Sequence, residues 1–158
     1  RWIEQIGIDL IHTRVECLTG WLIDQLLSLR HSNGRPLVHL YGPASTHRRG
    51  GTVQVNFFDP DGRMYECYAL EQQANEERIS LRAGCHCNPG AREVALNFSR
   101  EDLEVCFRSK DSQTFEQFLA GIEGKTTGAL RASLGVASNF VDVYAYTKFA
   151  ERYLDIHI

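Results

Sequence analysis

Leu18, Trp21, Leu22, Leu26 and Leu29 recur at three- and four-residue spacing, which predicts a helix from Val15 to about Arg30. Residues 1–13 hold Ile8 and Ile11 but no strong stop signal. The stretch "HSNGRP" breaks the helical pattern, as Asn-Gly and Pro do. "LVHLYGP" follows, with Val38 and Leu40 as strand formers. After the turn-rich "ASTHRRGG", Val53, Val55 and Phe57 of "TVQVNFF" alternate with polar residues, the pattern of a half-buried strand. Asp59 to Gly62 is a turn, and "YECYALEQQANEER" reads as a helix whose start Tyr65 and Tyr68 blur. "ISLRAGC" is a third strand. Ser99 and Asp102, with Phe98 able to staple onto Leu103, mark another helix start. Residues 108–127 are more polar, and "GALRASLG" is a fourth short strand. A last helix begins at Asn139, with Val143, Tyr146, Ala150 and Leu154 on one face. The order α-β-β-α-β-α-β-α predicts an α+β fold, a small mostly antiparallel sheet covered by helices.

Composition narrows the class without changing that picture. A chain of 158 residues suits one domain with an apolar core, and 43% hydrophobic with 23% charged residues is ordinary for a globular protein. The net charge of −3 and scattered basic residues argue against a nucleic-acid partner. No apolar run approaches the roughly 20 residues of a membrane helix, so no membrane partner is expected. No charged-then-apolar leader opens the chain. It starts on Arg1 and is expected to be a piece of something longer. Cys17, Cys67, Cys85, Cys87 and Cys106 form an odd, irregular set, which predicts a reducing compartment and a cytoplasmic protein.

The densest chemistry lies in "SLRAGCHCNPGARE", residues 80–93. Zinc sites use Cys-x-x-Cys pairs or helix-spaced histidines, and Cys85-His86-Cys87 offers neither, so no metal is expected. On an extended strand the two cysteines would stand about 6.6–6.8 Å apart at Cα. That is the outer limit for an unstrained disulfide. Two readings remain level. The cysteines are small apolar residues packed at a strand end. Alternatively, one is a thiolate nucleophile on an exposed Asn88-Pro89-Gly90 turn, with Arg82, His86 and Arg92 lowering its pKa.

"RAGCHCNPGA" resembles the Arg-Thr-Gly-Cys-Phe-Cys-Asn-Pro-Gly-Ala segment of molybdenum cofactor sulfurases, relatives of cysteine desulfurases in aminotransferase class V. "GALRASLGVASNFVDV", the long insert before it, "LVHLYGP" and "RRGGTVQVNF" resemble further parts of the same domain. The resemblance implies a fold type I enzyme that uses pyridoxal 5′-phosphate, with residues 1–158 as its single C-terminal small domain. It implies that Cys87 is the catalytic nucleophile, taking sulfur from L-cysteine as a persulfide. Histidine stands in plain desulfurases where Cys85 stands here, which favours Cys87. Arg131 matches the arginine that holds the substrate carboxylate, a task suited to a planar guanidinium. Arg82 is assigned to the turn or the substrate, and His86, Cys85 and Asn88 take auxiliary places. A homodimer of the full-length enzyme is expected, with an undefined sulfur acceptor.

Two positions depart from the family pattern. Arg92 stands where sulfurases carry another cysteine. The Schiff-base lysine is also missing, since Lys110, Lys125 and Lys148 lack the preceding histidine. The fragment alone is therefore expected to be inactive. Two other functions fit the same residues: a class V aminotransferase, lyase or epimerase with structural cysteines, or a non-catalytic thiol- or metal-binding module.

Overall fold

In the computed structural model, residues 2–84 and 128–158 are described. A short helix α1 (Trp2–Ile6) is separated by Gly7 from a long helix α2 (Ile8–Ser28). Thr19, Leu22, Ile23 and Leu26 are its buried positions, one stripe at helical spacing. The expected start at Val15 is therefore two turns late. Ile8, Ile11 and Val15 continue the same three- and four-residue spacing, but Ile8 is 65% exposed and Ile11 and Val15 only half-buried, so these turns pack lightly.

Two strands follow, β1 (Val38–Tyr41) and β2 (Thr52–Phe57), then α3 (Cys67–Glu76) and the short β3 (Arg82–Gly84). Glu66 caps α3, its carboxylate accepting from Tyr68 N at 3.0 Å and Ala69 N at 2.7 Å. Beyond the undescribed residues come β4 (Ala129–Ser133) and α4 (Phe140–Glu151). Asn139 caps α4 as expected: its side chain accepts from Val141 N at 2.7 Å, and Asp142 accepts from Asn139 N at 2.9 Å. Val143, Tyr146 and Ala150 are buried, whereas Leu154 lies past the helix end. The helix expected from Ser99 and the polar segment 108–127 fall outside the described residues.

The four strands form an antiparallel sheet in the order β1-β2-β4-β3. The fold is the expected α+β arrangement, and β3 is shorter than "ISLRAGC" suggests. Because side chains alternate across a strand, the register sorts the sheet into two faces. Val38, Leu40, Val53, Val55, Phe57, Leu130 and Ala132 take one side, where they join Leu22, Ile23, Leu26, Leu70, Val143 and Phe149 in a single apolar core. His39, Tyr41, Gln54, Asn56, Arg131 and Arg82 share the other.

The C-terminal residues are pinned back onto the turns that flank β1 and β2. Buried His31 bonds the Phe58 carbonyl through Nε2 at 2.8 Å and accepts from Asp155 N through Nδ1 at 3.0 Å. These bonds require the neutral tautomer protonated on Nε2. Asp59 accepts from Asp61 N and Arg63 N at 2.9 and 2.8 Å, and from Ile158 N at 3.3 Å. Burial pushes the Asp59 carboxyl up, but the backbone N–H groups of Arg63, Ile158, Asp61 and Gly62 outweigh it and hold the group below the ordinary range. Asp155 is likewise lowered by the backbone and hydroxyl of Ser32. Both carboxylates are more acidic folded than unfolded, so their stabilisation is present above about pH 4 and lost as pH falls through the folded values. Urea midpoints measured from pH 6 down to pH 2 should fall for the native chain, and fall less steeply for Asp59→Asn.

Candidate functional site

The site is built around the end of β3 and the start of β4. Gly84 pairs with Ala129, and Gly128 lies directly against it: a Cβ on Gly128 would sit 2.7 Å from Gly84 Cα and 2.8 Å from its carbonyl carbon. No side chain fits in that gap. Gly84 has φ of 121°, a conformation that side-chain-bearing residues rarely adopt. The glycines close a neck between the two described residues, Gly84 and Gly128, that flank residues 85–127 in the chain.

Three groups hold this neck. The Gly84 backbone N–H reaches the sulfur of Cys67, at the first turn of α3. Glu71 accepts from Ala83 N at 3.1 Å, which covers an N–H on the edge strand β3. Asn56 donates to the Gly128 carbonyl at 3.2 Å. The sequence reading did not single out Cys67, Glu71 or Asn56. Only Asn56 carried a signal, a polar residue in a strand-forming run, and that pattern alone reads as solvent-facing.

Cys67 is packed as an apolar residue. Burial, then the neighbouring Glu66 carboxylate, pushes its thiol up to about 12. Cys17 is exposed. The thiol of Cys67 therefore stays protonated and inert at neutral pH.

Arg131 and Arg82 stand directly opposite each other across β4 and β3, and Gln54 faces Arg131 from β2. Such neighbours place their Cβ atoms about 4.5–5.5 Å apart, and like charges there repel. Arg131 is half-buried and its Nε is enclosed without a hydrogen-bond partner. Arg82 is exposed. Two arginines side by side, one with an enclosed Nε that has no partner, favour an anion, and a carboxylate matches the planar fork. The structure thus brings together the two arginines chosen from sequence, beside the strand end that leads into Cys85. Cys85, His86, Cys87 and Asn88 themselves lie outside the described residues.

Neither a metal nor a pyridoxal site forms among the described residues. Asp59, Asp61 and His157 bring ligand atoms within 4.8 Å of one another, but Asp59 already accepts three backbone N–H groups. Lys148 is exposed on α4, 2.6 Å from Glu151. That hydrogen bond raises its pKa, the opposite of what a Schiff-base lysine needs. Lys110 and Lys125 are outside the described residues. A cleft of about 500 Å³ lined by Ile79, Leu81, Leu134, Val141 and Tyr146 opens near the Ser133 end of β4, and none of the site residues expected from sequence lines it. No described helix is long and apolar enough to cross a membrane.

No family profile matches the chain. The fold is that of part of a cysteine desulfurase: the apo enzyme of Thermococcus onnurineus NA1 aligns with 96% of this chain and 28% of its own, at a TM-score of 0.62 and 19% identity. By sequence the chain is homologous to a segment of the molybdenum cofactor sulfurases. It is 33% identical to that of Solanum lycopersicum over 156 residues, 94% of this chain and 18% of the relative. It is 35% identical to that of Arabidopsis thaliana over 143 residues, 84% of this chain and 16% of the relative. The chain thus spans less than a fifth of the length of these relatives.

Two outcomes check the neck. Alkylation of the native chain, read by peptide mass mapping, should label Cys17 and spare Cys67 until denaturant is added. Gly128→Ala should lower the unfolding free energy by about 1–3 kcal/mol, since the added methyl forces the paired backbones apart.

Proposed function

We propose that the chain is the C-terminal small domain of a longer pyridoxal-phosphate-dependent cysteine desulfurase of the molybdenum cofactor sulfurase kind, in which Cys87 receives sulfur from L-cysteine. One observation carries this reading: the Arg82–Arg131 pair lies on the polar face of the sheet, next to the strand end that continues into the Cys85–Cys87 segment. The homology to sulfurases and the desulfurase fold support it.

In this function Arg131 binds the substrate carboxylate and Arg82 raises the positive field around it. The bound cysteine is then held by one end while its sulfur faces the thiolate of Cys87. Transfer joins the Cys87 sulfur to the substrate sulfur and breaks the substrate Cβ–S bond. The electron pair of the broken bond stays with the carbon, which takes up a proton and leaves as alanine. The cofactor, when bound, supplies the electron sink that makes the Cβ–S bond labile. The described residues do not fit its covalent anchor, so the lysine is assigned to another part of the longer protein. Cys85, His86 and Asn88 are auxiliary to Cys87, the enzyme works as a cytoplasmic homodimer, and a second molecule accepts the persulfide sulfur.

Full-length Cys87→Ser should lose alanine production from L-cysteine while keeping its cofactor absorbance. Arg131→Lys should raise KM for cysteine about 10- to 100-fold, the loss of a bidentate charged contact. Undiminished alanine release by the serine variant would remove Cys87 as nucleophile and favour a class V relative with other chemistry.

A further inference from the structure

Along α4 the buried residues Val143, Tyr146 and Ala150 face the sheet, and Phe140, Tyr144 and Lys148 form a line at four-residue spacing on the outer side. Such a line is ordinarily polar where it meets only water. Here Phe140 is 53%, Val141 71% and Tyr144 46% exposed. Half-buried Trp21 of α2 joins them, its ring centroid 4.7 Å from that of Phe140 and 6.5 Å from that of Tyr144. The Phe140 and Tyr144 rings stack at 6.1 Å, and the Lys148 ammonium sits 5.4 Å from the Tyr144 centroid at the rim. Single exposed apolar side chains are normal on a protein surface, whereas a joined aromatic group spread over two helices marks an interaction surface.

The patch is fixed before anything binds it. The Asn139–Asp142 capping box holds the first turn of α4, from which Phe140 and Val141 project. Arg14 of α2 donates twice to the Ser138 carbonyl, at 3.0 and 2.7 Å, and so ties that turn to the helix that carries Trp21. Rings that already hold one another lose little freedom on docking.

Two observations choose the occupant. The first is the side of the sheet: α2 and α4 cover the apolar side, and Arg82 and Arg131 lie on the other. In the proposed enzyme the cofactor-bearing unit meets the arginine side, which leaves the aromatic patch free of it. The second is length. This stretch amounts to 28% of the Thermococcus onnurineus desulfurase but 18% of the Solanum lycopersicum sulfurase. The sulfurase therefore carries chain beyond what a desulfurase fold uses.

We infer that the Trp21–Phe140–Tyr144 patch is the docking surface for that additional chain of the longer protein, an apolar intramolecular interface on the side of the sheet away from the arginines. This rests on the reading of the chain as one part of a longer sulfurase-like protein.

The test uses the full-length protein with Tyr144→p-benzoylphenylalanine, which keeps an aromatic ring at an exposed position. After irradiation, peptide mass mapping should find the label joined to peptides of the same polypeptide that lie outside the part matching the desulfurase. Mixing isotopically heavy and light protein separates links within one polypeptide from links between two. Links to the desulfurase-like part, to a second copy, or to no peptide overturn the inference. So does a full-length protein no longer than a desulfurase. Combined Phe140→Ser and Tyr144→Ser should speed proteolytic release of the additional chain about 10-fold, as the undocked population grows. An unchanged release rate also overturns the inference. Neither readout depends on sulfur release: a full-length protein that forms no alanine from cysteine would sink the desulfurase reading and leave the docking result standing.

Discussion

The polar face of this sheet is organised by a backbone-to-backbone approach. Where β3 ends and β4 begins, Gly84 and Gly128 come closer than any side chain would allow. The strands can pair there because Gly128 lacks a Cβ that would strike the Gly84 backbone, while Gly84 is needed for its φ of 121°. The β3–β4 register puts Arg82 opposite Arg131, and the same contact holds the two ends of the intervening segment together. Cys67 and Asn56 anchor this neck through hydrogen bonds, one from the helix side and one from the central strand.

The two faces of the sheet are energetically unequal. On the core side Val53, Val55, Phe57 and Leu130 are fully buried against α2, α3 and α4. Burying side chains of that size stabilises by about 1.5–3 kcal/mol each. The polar face carries costs: two arginines side by side, an unpartnered Arg131 Nε and an unpartnered Asn56 Oδ1. Groups that violate local rules in this way concentrate where a protein binds or reacts. The apolar side gives the sheet the rigidity to hold them in place.

That division also explains how a segment can hold part of a site. The carboxylate recognition proposed for Arg131 requires a fixed register between β2, β4 and β3, which the described sheet has. A Schiff-base lysine requires a desolvated pocket, and Lys148, exposed and paired with Glu151, lies in no such setting. The proposed enzyme therefore joins a sheet that positions the substrate carboxylate to a separate unit that carries the cofactor.

Local signals determined much of this protein from the sequence alone. Alternation in "TVQVNF", the Asn139 cap with Asp142, and the breakers after Arg30 predicted elements that the structure contains, because each rests on contacts a few residues apart. Arg82 and Arg131 could be chosen singly, by residue type and family resemblance. Only the tertiary structure made them neighbours, since their adjacency comes from strand pairing across the long intervening segment. Ile8 and Ile11 carry the helical spacing into the first turns of α2, where little is buried. Asn56 reads as a solvent-facing strand residue until Gly128, 72 positions away, closes over it. Burial and register are set by what folds against a residue, and a one-dimensional pattern carries no record of which distant backbone arrives there.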